Sequence, residues 1–108
     1  MAREMYSRKN KLEGNGGYIE SNNIRYRIGR WTLNTEVAIL NAKSGPVEGI
    51  EKSSGAFNDI DGNVPTNIMP GQAVFELEGN NEGERYRFNA LIISFGEFEV
   101  SGEITKSN

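Results

Sequence analysis

Hydrophobic and polar residues alternate along most of the chain from Tyr18 onward. Ile24, Tyr26 and Ile28 are separated by Arg25 and Arg27, the period-two signature of a strand with one buried face. Asn22-Asn23 precedes them and suits a hairpin turn, because Asn tolerates the left-handed backbone that such turns need. Gly29 interrupts the run before Trp31. Thr35 to Leu40 contains Val37-Ala38-Ile39-Leu40, apolar on both faces. It reads as a more central strand, with a short helix as the competing reading.

The last third carries the clearest pattern. Phe75 and Leu77 alternate with Glu76 and Glu78, and Tyr86 and Phe88 alternate with Arg85 and Arg87. Between them Gly79-Asn80-Asn81-Glu82-Gly83 is turn material. This predicts a hairpin whose outer face sets the two glutamates beside the two arginines, each pair worth about 0.2–1 kcal/mol and together fixing the register. Ala90-Leu91-Ile92-Ile93 loses the alternation and suggests a bulge or burial on both faces. Phe95-Gly96-Glu97 is a bend, and Phe98, Val100 and Ile104 continue as a last strand. The count is six or seven strands, and the expected class is all-β: a small sandwich or barrel of mostly antiparallel strands.

Two segments depart from this pattern. Residues 1–16 read as a polar, basic arm ahead of a single β domain over 17–108, with Gly14-Asn15-Gly16-Gly17 as a plain hinge. Gly14-Asn15-Gly16-Gly17 lacks the following Lys-Ser/Thr of a phosphate loop. Residues 41–72 hold all three prolines and read as a long internal loop, an uncommon feature inside a compact domain and one tied to function or interfaces. Ser44-Gly45-Pro46 could open one or two helical turns. Val47, Ile50, Phe57, Ile60, Val64, Ile68 and Met69 lie within this loop and need covering.

Charge and composition narrow the functional classes. Residues 1–43 carry net +4 and residues 44–108 net −7, giving −3 over 108 residues with no His and no Cys. The usual proton shuttle, thiol nucleophile and soft metal ligands are therefore missing, as are disulfide staples. No Gly-x-Ser-x-Gly elbow occurs. The reading is a non-enzyme that needs no cofactor. No apolar run approaches a membrane span, and the N-terminus lacks the apolar core of a signal peptide.

Each candidate site has a plainer explanation. Asp59-Ile60-Asp61-Gly62-Asn63 places acids at alternate positions, but the sixth position from Asp59 is Val64 and the twelfth is Pro70, not the glycine and glutamate of a calcium loop. An Asx turn fits better. The tripeptide Arg-Tyr-Arg occurs at 25–27 and 85–87. On a strand the ring and the guanidinium groups point to opposite faces, which places the tyrosines in the core and argues against a base-stacking groove. Glu76/Glu78 and Glu97/Glu99 read as solvated faces rather than a catalytic carboxylate pair. Trp31 with Tyr18 is a candidate sugar platform only if Trp31 is exposed.

A basic end, an acidic end and an apolar-containing loop together point to head-to-tail self-assembly. The expected interface comprises Arg3, Arg8, Lys9 and Lys11 of the arm, with Phe57, Ile60, Ile68 and Met69 of the loop. Residues 75–104, with Val-Phe-Glu-Leu-Glu-Gly and then Tyr-Arg-Phe-Asn-Ala-Leu-Ile-Ile-Ser, are similar in style to the closing strands of bacteriophage tail-tube subunits. The polar arm, long loop and hairpin extend that resemblance to phage virion proteins. It implies a non-catalytic subunit of the virion, made in the host cytoplasm, forming stacked, hexameric homo-oligomeric rings and contacting other virion proteins. A capsid decoration or connector protein fits almost as well. The alternative is a monomeric β-sandwich module that binds carbohydrate or protein.

Overall fold

The computed structural model describes residues 4–66 and 68–107. Six strands follow one another: β1 (Glu4–Ser21), β2 (Ile24–Ala42), β3 (Gly45–Asp59), β4 (Gly71–Gly79), β5 (Arg85–Ser94) and β6 (Glu97–Ser107). They close into an antiparallel barrel in the order β1-β2-β3-β6-β5-β4. Two three-stranded meanders are thus joined by the 60–70 connection and sealed by two seams. The β1–β4 seam runs from Gly14↔Gly79 to Glu20↔Val74. The β3–β6 seam is only three pairs long, Ser54↔Glu99, Gly55↔Phe98 and Ala56↔Glu97.

The all-β class expected from the alternation is what forms. Asn22 and Asn23 adopt positive φ of 53° and 65°, turning β1 into β2 as their chemistry favours. The β4–β5 hairpin has the register that the glutamates and arginines imply, with Glu76↔Arg87 and Glu78↔Arg85. Its inner face delivers Phe75, Leu77, Tyr86, Phe88, Ala90 and Ile92 to the core, all buried. Leu91 and Ile93 remain on the outer face, and Ile93 is the extra residue of a bulge between Ile92↔Phe98 and Ser94↔Glu97, the bulge that the lost alternation suggested. Phe57 of β3, Phe75 of β4, Phe88 of β5 and Phe98 of β6 form one aromatic cluster, with ring centroids 4.5 Å apart for Phe75–Phe98 and 5.2 Å for Phe75–Phe88, the separations at which such rings attract.

The first three strands outrun the barrel. They are 18, 19 and 15 residues long against 9, 10 and 11 for the others. Above the seams, residues 4–13 of β1 and 45–53 of β3 pair with β2 alone among the described residues. A three-stranded projection therefore extends from the barrel and gives the molecule its 49 Å long axis.

This projection corrects two expectations. Residues 4–16, expected as an arm, are the start of β1, paired from Glu4↔Leu40 onward; residues 1–3 lie outside the described part. Residues 45–59, expected as loop with a short helix near Ser44, are β3, and the true connection is 60–70. The period was hidden by a bulge: Val37↔Glu51 is followed by Ile39↔Glu48, so β3 carries one extra residue there and the apolar positions change face. Pro46 sits opposite Asn41 at the strand's very start, where a missing N–H is tolerated.

Gly14-Asn15-Gly16-Gly17 is likewise part of β1 rather than a hinge. A Cβ on Gly14 would lie 2.4 Å from the Glu78 carbonyl oxygen and 2.7 Å from Trp31 Cζ2. The glycine is there for close approach, not for freedom.

Candidate interaction surface

The described residues offer little reactive chemistry. No group of three His, Cys, Asp or Glu among them could hold a metal ion. In the 59–63 turn, the backbone N–H groups of Asp61 and Asn63 donate to Asp59 Oδ1 at 2.9 and 2.8 Å, and Gly62 supplies a φ of 87°. The carboxylate is occupied by its own backbone, the Asx turn that the spacing suggested. Glu84 behaves similarly in the 79–84 turn. It accepts from Tyr86 Oη at 2.5 Å and from Asn81 Nδ2 at 2.8 Å. The Tyr86 and Asn81 bonds hold its carboxyl below the ordinary carboxylate value, while burial and the Glu84 bond push Tyr86 up to about 12.

Trp31 is not a platform. It is 1% exposed, its Nε1 donates to the Glu78 carbonyl at 2.9 Å, and its ring meets Tyr86 edge-on at 5.8 Å. Tyr18 remains on the outer face, but the Arg25 guanidinium lies 4.1 Å over its ring centroid and reaches Glu76 Oε2 at 3.4 Å. Arg25 of β2 thereby spans β1 to reach β4, covering one face of the Tyr18 ring. A concavity of about 620 Å³ lies nearby, lined by Glu20, Asn22, Asn23, Gln72, Asn89 and Ser101 among others. It holds one carboxylate and no cation, so it has neither a facing acid pair nor a phosphate-binding charge.

The residues expected at an interface divide. Phe57 and Ile68 are 3% and 5% exposed and belong to the barrel core, so their placement at an interface is corrected. Phe57 joins the aromatic cluster, and Ile68 folds in from the 60–70 connection to complete the core. Ile60 and Met69 stay exposed in that connection. Lys11 is exposed on β1, Arg8 holds a ladder position opposite Glu36, Lys9 is the extra residue of the β1 bulge between Arg8 and Asn10, and Arg3 lies outside the described residues.

No family model, curated protein or solved structure matches the chain. Function must therefore be read from the surface itself, and the projection is its most unusual part. Leu40 stands opposite Val47 in the ladder; they are 37% and 47% exposed, and Ile50, in the adjoining bulge, is 82% exposed. Sequence reasoning counted Val47 and Ile50 among the apolar positions needing cover but left them out of the expected interface. The signal was available: apolar residues that no barrel face can take must be covered from outside.

Proposed function

We propose that this chain is a non-enzymatic structural subunit that assembles with copies of itself. The supporting observation is the three-stranded projection, with Leu40, Val47 and Ile50 exposed where the barrel cannot cover them. Exposed apolar residues on an element that adds nothing to the barrel core are costly to a monomer and useful to an oligomer. The split between a basic first part and an acidic remainder adds a long-range term that orients one copy on the next and weakens with salt. A ring-forming virion component, such as a tail-tube protein, is the particular assembly that the resemblance in the closing strands carries into this proposal.

Native mass by light scattering at low and high salt, with electron microscopy of the same sample, tests the reading. Rings, tubes or defined oligomers support it. A 12.0 kDa monomer at every concentration overturns it and returns the field to a monomeric binding module.

A further inference from the structure

We propose that the outer face of the barrel binds a short neutral saccharide in a furrow that crosses β1, β4, β5 and β6. The site is independent of assembly, since none of its residues belongs to the projection.

The furrow follows from register. Glu20 stands opposite Val74, Val74 opposite Asn89, and Asn89 opposite Ser101. Directly opposed residues of antiparallel strands share a face. Here it is the outer one, where Glu20, Asn89 and Ser101 are exposed and Val74 is half-buried. The adjoining rows carry longer side chains, Gln72↔Leu91↔Glu99 on one side and Glu76↔Arg87 on the other. On β4 to β6 the short side chains of Val74, Asn89 and Ser101 therefore lie between taller rows. Three strand spacings make the row about 14 Å long. The Asn22-Asn23 turn borders its β1 end, and the Ser21 hydroxyl ties that turn to β4 by donating to the Gln72 carbonyl at 3.4 Å. The result is the concavity of about 620 Å³, a size common for small-ligand sites.

The lining selects the ligand by elimination. Asn22, Asn23, Gln72 and Asn89 bring four primary amides, each with a carbonyl acceptor and two N–H donors. None of these amide side chains has a hydrogen-bond partner among the described residues. Ser101 adds a hydroxyl and Glu20 a carboxylate acceptor. No cation lines the concavity, which disfavours a phosphate or other anion. Val74 with the small Ala73 and Ala90 gives too little apolar surface for a greasy ligand. A peptide strand fits poorly too, because β4 and β5 are paired on both sides at this row and offer no backbone edge to extend. What remains is a neutral molecule dense in groups that both donate and accept. Adjacent sugar hydroxyls have that character, since one amide accepts from the first and donates to the second, while Val74 meets the C–H face of a ring.

NMR titration of the isotopically labelled protein with maltotriose, cellotriose, xylotriose and N,N′,N″-triacetylchitotriose tests the site. The side-chain amide signals of Asn22, Asn23, Gln72 and Asn89 should shift with at least one of these sugars and saturate. Asn89→Ala should weaken that binding about tenfold or more. Ser101→Arg, which fills one end of the row from an exposed position, should weaken it as well. Both variants should keep the parent melting temperature. Absence of shifts with all four sugars at about 10 mM overturns the proposal. So do shifts that persist in both variants, which place the sugar elsewhere, and equal shifts of the same four side chains with N-acetyl-trialanine amide, which make the furrow a peptide site.

Discussion

The indole of Trp31 on β2 reaches across β1 and donates a 2.9 Å hydrogen bond to the carbonyl oxygen of Glu78 on β4. The strand between them is crossed at Gly14, which pairs with Trp31 on one side and with Gly79 on the other. The β1–β4 seam is thus closed by backbone pairing and, at its upper end, by this one side-chain bond threaded past a missing Cβ. Trp31 is also the largest fully buried side chain in the molecule's described part.

Gly14→Ala should therefore destabilise the fold. The added methyl meets the Glu78 carbonyl and the indole at once, and overpacking of this kind costs about 1–3 kcal/mol. A urea titration should show a lower midpoint with an unchanged slope. A neutral result would mean that the indole and the seam relax together, and would remove the close-packing account of this glycine.

Tyr86 sets an alkaline limit. Its folded value of about 12 lies above the ordinary 10.0, so the folded state holds the phenolic proton more tightly than the unfolded chain does. The resulting stability is complete below pH 10 and lost as pH rises from 10 to 12. Tyr86→Phe should flatten that limb of the thermal-denaturation profile. Glu84 has the opposite sign: its lowered value contributes stability above the ordinary carboxylate range that fades on acidification, and Glu84→Gln should flatten the acid limb.

Asp59 ties the exit from β3. Asp59→Ala removes both acceptor bonds to Asp61 and Asn63 and should cost about 1 kcal/mol, given that an exposed turn can take water in their place. Amide exchange at those two positions should quicken while exchange in the barrel strands stays slow.

The Arg25–Glu76 contact should matter little to stability. Its side chains are 57% and 36% exposed, and pairs in that setting contribute about 0–1 kcal/mol. Arg25→Ala should leave the melting temperature nearly unchanged while altering the fluorescence environment of Tyr18, whose ring it covers.

Ile50→Lys separates folding from assembly. The side chain is 82% exposed, so chemical denaturation should be unaffected, whereas sedimentation should show weaker self-association. Loss of folded protein would instead show that the projection supports the barrel.

Legibility in the sequence followed burial. The β4–β5 hairpin was readable to the level of individual pairs because one face is core and the other is water, so every second residue reports its side. The Asn22-Asn23 turn and the Asx turn at Asp59 were readable because their chemistry is local. The projection was not. Its central strand β2 buries Val37 and Ala38 on opposite faces, so polarity carries no period there, and the bulge in β3 shifts the pattern beside it. The expected interface failed at Phe57 and Ile68 because 41–72 was taken as one loop whose apolar residues all need a partner, when the barrel already buries these two.

The sequence by itself determined the class of the protein: antiparallel strands with an aromatic core, tight turns at Asn and Gly, and no thiol or imidazole chemistry. These follow from residue-level preferences and from alternation over a few neighbours. Only the tertiary structure decided that the strands close into a barrel, that Trp31 lies inside it, and that β1 and β3 continue past it alongside β2. Closure depends on seams such as Gly14↔Gly79 and Gly55↔Phe98, which join residues more than forty positions apart. Such contacts form because shape and burial elsewhere bring them together, and no local pattern encodes them.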